Sequence, residues 1–176
     1  EAGLLKFDFL GIRNLAIIAD AFERIKKLEG KEITLEDIPL DNKKTFQMLA
    51  RGETEGTFQL NGSGMTRALI DLKPTTIHDI NVMVALYRPG PMQFIPNYIE
   101  RKHDPSKITY LDPALESILK KTYGILVYQD DLLIMAHDLA GYTWGEVDKF
   151  RKAVGKKIPK EMEEQKGKLK EGLIKN

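Results

Sequence analysis

The 176-residue chain contains no cysteine, so disulfides and thiolate metal sites are excluded. It has no apolar run near the ~18 residues that a membrane-spanning helix needs, and no charged-then-apolar signal segment at its start. It shows no internal repeat or low-complexity tract, and no P-loop, GxGxxG, HExxH or nucleophile-elbow motif. Net charge is also scarce, at +1, with 42% hydrophobic and 30% charged residues. That composition is globular, and the length suits one domain or one domain with an appendage.

The small net charge hides an asymmetry. Residues Lys149 to Asn176 hold ten Lys/Arg and four Asp/Glu, a local +6, which leaves −5 on the other 148 residues. A basic end on a near-neutral chain is a candidate phosphate surface, and a solvated lysine-rich helix has the same composition. The chain opens on Glu1-Ala2-Gly3 without Met and closes inside a helical pattern, so both ends are expected to be cut from a longer polypeptide.

Periodicity predicts a mainly α fold with a few short β-strands (α+β). Leu4 to Leu10 alternates apolar residues with Lys6 and Asp8, a period of two that predicts a strand. A helix is expected from about Arg13 to Leu28, striped by Leu15, Ile18, Phe22 and Ile25 and ended by Gly30. Capping boxes at Thr34/Asp37, Thr76/Asp79 and Thr143/Glu146 start further helices. Asp41 and Ser63 are expected caps for helices reaching Ala50 and Leu72, with Thr57 to Leu60 extended between them. Ile77, Ile80, Val84 and Tyr87 are expected to share one helix face, broken by Arg88-Pro89-Gly90-Pro91. Helices follow from about Phe94 to Lys102 and from Asp112 to Lys121, then a strand Ile125–Tyr128. Helices from Asp130 to Leu139 and from Trp144 to Val154 come next, the latter ended by Gly155. Pro159 opens a last helix whose sparse apolar stripe calls for a partner outside the chain.

Two groups of residues are suited to chemistry. On a strand Lys6 and Asp8 would point to one side, holding an anion and a cation; an exposed salt bridge that protects an edge strand would look the same. Asp8 alone does not hold Mg²⁺, which takes about six oxygens, including phosphates and waters. Arg151, Lys152, Lys156 and Lys157 place four cations in seven residues, beside a buried stripe of Val147, Phe150 and Val154. They suit a triphosphate or a nucleic-acid backbone, or simply form a solvated basic helix end. Arg88 sits on a rigid turn that presents it to a phosphate or merely separates two helices. Tyr87 and Tyr128 are read as core rather than as base-stacking groups. His78-Asp79, His103-Asp104 and His137-Asp138 are read as coincidence rather than a metal site.

The blocks Lys6-Phe7-Asp8-Phe9-Leu10-Gly11, Gly56-Thr57-Phe58-Gln59-Leu60, Ala85-Leu86-Tyr87-Arg88-Pro89-Gly90-Pro91-Met92, Tyr98 to His103, Tyr123 to Gln129 and Arg151-Lys152-Ala153-Val154-Gly155-Lys156-Lys157 run in one order through the chain. Together they resemble the C-family replicative DNA polymerases of bacteria, the DNA polymerase III alpha-subunit family. The resemblance implies residues 1–12 as a palm-derived strand and 13–176 as a helical fingers region, truncated at its C-terminus. It implies that Asp8 is the third metal-binding carboxylate of a site whose other two lie on an upstream D-x-D motif, and that Lys6 touches nucleotide phosphates. Arg151 and Lys152, with Lys156, Lys157 and Arg88, are implied at the incoming triphosphate. Mg²⁺, primer-template DNA and dNTP follow as cofactor and substrates, in a bacterial cytoplasm and with no membrane. The sliding clamp, exonuclease subunit and clamp loader follow as partners through other regions. Without the D-x-D aspartates the chain alone is expected to be inactive. Lys152 stands where the family has a second Arg, and Asp130-Asp131 where it has Glu-Gln. A non-catalytic helical module that binds nucleic acid or a protein is the alternative reading.

Overall fold

Local capping and apolar spacing place nine α-helices among the described residues of the computed structural model, which are 3, 4 and 7–175. They are α1 (Arg13–Glu29), α2 (Lys43–Ala50), α3 (Ser63–Leu72), α4 (Ile77–Leu86), α5 (Ile95–His103), α6 (Glu116–Leu119), α7 (Gln129–Asp138), α8 (Trp144–Lys156) and α9 (Pro159–Lys175). Short 3-10 turns join several of them.

The capping boxes form as the sequence predicts. Thr76 and Asp79 close the start of α4, and Thr143 and Glu146 the start of α8, each satisfying backbone N–H groups that the first turn leaves unpaired. Gly30 ends α1 in the left-handed conformation, as expected. Three boundaries differ. Asn42, not Asp41, caps α2 by accepting from the Thr45 N–H. Gly62, not Ser63, is the extended residue before α3. Gly155 does not stop α8, which runs on to Lys156 and turns off at Lys157 with φ +52°.

No strand occurs among the described residues. The expected Leu4–Leu10 strand falls partly on Leu5 and Lys6, which lie outside the described residues; residues 7–12 form no ladder and are exposed. Thr57–Leu60 is a turn with Gln59 at φ +62°. Residues 125–128 are irregular and enter α7 with Tyr128 extended. The alternation is real, but a strand is defined by its hydrogen-bonded neighbour, and the described chain pairs none of these segments. The fold is therefore mainly α.

Three apolar clusters hold the helices. The largest buries Leu69 and Leu72 of α3, Val82, Met83 and Leu86 of α4, and Tyr98 of α5. The buried face of α4 is thus 82, 83 and 86, and Ile77 is exposed. With apolar residues all round this helix, spacing alone does not select a face. Tyr87 and Tyr128 pack against this core. A second cluster joins Ala136 of α7, Ala140, Tyr142, and Val147 and Phe150 of α8, with Leu169 of α9 against it. A third, around Leu115, Ile118 and Leu119, receives Met135 and Leu139.

The last helix finds its partner inside the chain, against expectation. Gly172 lets α9 approach so closely that an added Cβ would stand 2.2 Å from the Ala140 carbonyl oxygen. The Tyr142 hydroxyl donates to the Gln165 carbonyl at 3.2 Å, and Lys168 pairs with Glu146 at the start of α8. Neither α9 nor α1 has a fully buried residue, and on α1 Leu15 and Ile18 remain exposed.

Candidate nucleotide-facing site

Helix α8 presents two unlike faces. Val147, Phe150 and Ala153 are buried against α7 and α9, which leaves Arg151 and Lys152 on the exposed side. Asp148, one turn earlier, holds both: Arg151 Nη2 donates to Asp148 Oδ1 at 2.8 Å, and Lys152 Nζ lies 2.6 Å from Asp148 Oδ2. Residues three and four apart are neighbours on a helix, so one carboxylate reaches both cations. The hydrogen bond from Lys152 and then that from Arg151 hold the Asp148 carboxyl below its usual range. Lys156 closes the helix and Lys157 follows it, both exposed, where cations suit the negative end of the helix dipole. The four basic residues expected to act together therefore share one helix and its cap. Sequence reasoning missed Asp148, although its spacing to Arg151 and Lys152 is visible in the chain.

Arg88 lies elsewhere, just past the end of α4. It lines an open cleft of about 350 Å³ with Phe58, Gln59, Leu60 and Asn81. Nearby, Gly64 at the start of α3 meets Tyr87, whose hydroxyl would be 2.0 Å from an added Cβ. The motif blocks around Gly56–Leu60, Gly64 and Tyr87–Arg88 thus converge in space, which spacing along the chain does not reveal.

Asp8 sits in the exposed segment before α1, and Lys6 lies outside the described residues. Among the described residues no group of three or more His, Cys, Asp or Glu side chains could hold a metal ion. The three His-Asp pairs make separate local contacts. Asp79 caps α4, His103 Nε2 sits 3.0 Å from the Asp71 carbonyl oxygen, and His137 Nδ1 bonds Asp138 at 2.7 Å. Mg²⁺ takes about six oxygens from carboxylates, phosphates and waters, so Asp8 by itself would not complete a site for it.

The block Tyr98 to His103 turns out to be structural. Lys102 Nζ enters a buried pair with Asp79 and also donates to the Lys73 carbonyl at 3.1 Å and to Thr75 Oγ1 at 3.2 Å. Arg101 donates to the Tyr123 carbonyl at 2.8 Å and to Thr109 at 3.1 Å, fastening α5 to the turn before residues 125–128.

The chain is a helical body with a carboxylate-paired Arg151 and Lys152 on the solvent face of α8. The family described as the bacterial DNA polymerase III alpha subunit finger domain matches residues 14–176. The chain is 46% identical over 174 residues to the DNA polymerase III subunit alpha of Staphylococcus aureus strain COL, covering 99% of this chain and 16% of that protein. It is 47% identical over 157 residues to the corresponding subunit of Halalkalibacterium halodurans, covering 89% of this chain and 14% of that protein. The chain belongs to the DNA polymerase III alpha-subunit family and represents its fingers region. It spans about one-sixth of the length of these relatives. No helix among the described residues is long and apolar enough to cross a membrane.

Proposed function

We propose that this chain is the part of a replicative DNA-directed DNA polymerase that grips the incoming dNTP during addition to a primer 3′-end. The observation that carries the reading is the Asp148-held pair Arg151 and Lys152 on the solvent face of α8, continued by Lys156 and Lys157. These side chains supply charge-assisted hydrogen bonds to the triphosphate oxygens, which gain negative charge as the leaving group departs. Arg88 contributes a further cation at the edge of its cleft.

Residues 1–12 belong with the neighbouring catalytic domain, and 13–176 form the fingers. This division is supported by the family match, which begins at residue 14. In that arrangement Asp8 gives one oxygen donor to Mg²⁺, with Lys6 beside the phosphates, and the remaining carboxylates come from elsewhere in the polymerase. Held there by Asp8 and the other carboxylates, Mg²⁺ would supply Lewis-acid charge stabilisation for phosphoryl transfer. Primer-template DNA and dNTP are the substrates, the cytoplasm is the compartment, and clamp, exonuclease subunit and clamp loader engage other regions of the polymerase.

Steady-state primer extension by the full-length polymerase tests the assignment. Arg151→Ala raises KM for dNTP or lowers kcat by at least about tenfold, the value of one charge-assisted hydrogen bond. Asp8→Ala abolishes synthesis while DNA affinity persists. Wild-type kinetics in both variants would leave the chain as a non-catalytic binding module. The isolated chain, lacking the other carboxylates, is inactive; metal-dependent extension by it would contradict the division of the site.

A further inference from the structure

Trp144 is the single tryptophan of the sequence, and it remains 63% exposed at the first position of α8. The cap of that helix does not need it, since Thr143 and Glu146 already satisfy the first turn. Its indole stacks on His137 of α7, with ring centroids 4.1 Å apart and planes 21° from parallel. The imidazole is in turn fixed by Asp138, 2.7 Å from its Nδ1. The result is a preformed, partly solvent-facing aromatic pair.

Its surroundings suit an anionic ligand. Trp144, Asp148, Arg151 and Gly155 follow one another at helical spacing along one face of α8. Arg151 and Lys152 start roughly 10 Å along the axis from Trp144. From Trp144 to Lys157 there are five basic and two acidic residues. Both acidic groups are engaged, Glu146 by Lys168 and Asp148 by Arg151 and Lys152. An aromatic face beside a row of cations is the pairing that binds single strands: bases stack on the rings and phosphates meet the charges.

We propose that Trp144 and His137 form a stacking platform for an unpaired base of single-stranded DNA, the template strand ahead of the primer end. The platform is a second ligand site on the helix whose triphosphate role is proposed above, and it rests on that reading only for the identity of the strand. Stacking is indifferent to base identity, so the site tracks the template without selecting sequence.

The test compares equilibrium affinity of the full-length polymerase for primer-template with a 5′ template overhang and for the same duplex blunt-ended. Trp144→Ala lowers the overhang-to-blunt affinity ratio about tenfold, and His137→Ala lowers it less. Trp144→Phe, which keeps a ring, retains most of the ratio and guards against a folding defect. A wild-type ratio in Trp144→Ala overturns the platform, as does an equal loss on both DNAs, which would mark a structural or protein-contact role. The KM for dNTP of Arg151→Ala is read separately. A lost overhang preference with unchanged Arg151→Ala kinetics keeps the platform and removes the triphosphate assignment; the converse does the opposite.

Discussion

Lys102 Nζ lies 2.7 Å from Asp79 Oδ2, and the two side chains retain 9% and 3% of their exposure. The pair is closed on every side. Asp79 Oδ1 accepts from the Tyr98 hydroxyl at 3.2 Å, and Oδ2 also accepts from the Thr75 and Thr76 N–H groups. The same carboxylate therefore caps α4, neutralises α5 and ties both to Tyr98, which burial above all pushes well above the ordinary tyrosine range. Buried ion pairs are stable when their remaining hydrogen-bonding capacity is filled, as it is here.

Removing one member leaves the other charged and dry. Lys102→Met should destabilise the chain by about 3 kcal/mol, measured by denaturant unfolding. Lys107→Met, which removes an exposed pairing with Glu100, should cost under about 1 kcal/mol. Equal effects would show that burial of the Lys102 pair carries no special weight.

Acid sensitivity follows from the same carboxylate. Burial raises the Asp79 pKa, but the Lys102 hydrogen bond, the backbone donors and the Lys102 charge together outweigh it, so the net shift is downward. A depressed folded-state pKa stabilises above the unfolded value, near ~3.9 for Asp, and that contribution disappears as pH falls through the lower folded value. Glu146, lowered to about 2 by the Lys168 hydrogen bond and by Thr143, behaves in the same direction at the α8–α9 contact. Thermal midpoints should be flat in pH from about 5 upward and fall steeply below about 4. The Asp79→Asn variant should lose part of that slope; an unchanged slope would remove Asp79 as a cause.

Gly124 combines a left-handed backbone with a close approach to other backbone. Its φ is +77°, and a Cβ there would stand 2.6 Å from the Thr109 carbonyl oxygen and 3.1 Å from Arg101 Nη1. Gly124→Ala should cost about 3 kcal/mol, from left-handed strain plus displacement of Thr109 and the Arg101 clamp. Gly30→Ala, at φ +69° with no atom within 4 Å, isolates the conformational part and should cost about 1 kcal/mol. Matching losses in the two variants would show that the close approach contributes nothing.

Asp131 is 1% exposed in the first turn of α7, with neither carboxylate oxygen in a well-aligned hydrogen bond. Lys121 Nζ, half-exposed, stands 3.3 Å away. Lys121→Ala should therefore destabilise by about 1–2 kcal/mol, and Asp131→Asn in that background should recover most of the loss, since it removes the unpaired charge. Additive losses in the double variant would mean that the two side chains do not interact.

Much of the helical frame was legible in the chain. Capping boxes at Thr76 and Thr143 and the stop at Gly30 are local devices, complete within a few residues, and they form as read. The strand expected at 125–128 does not form, and the one expected at 4–10 forms no ladder among its described residues, because alternation describes one strand while a sheet requires a second. The partner of α9 was hidden for a related reason: Gly172 reads as a weak point in a helix, and only its approach to Ala140 turns it into a contact surface.

By itself the sequence determined the mainly helical class, the family and the placing of four cations in seven residues, because these depend on residue type and short spacing. Tertiary structure decided that Lys102 is a buried structural cation while Arg151 and Lys152 stay at the surface. It also decided that Trp144 of α8 meets His137 of α7. Charge is a property of the residue, but whether water or a carboxylate surrounds it depends on elements that are distant in the chain and adjacent in space.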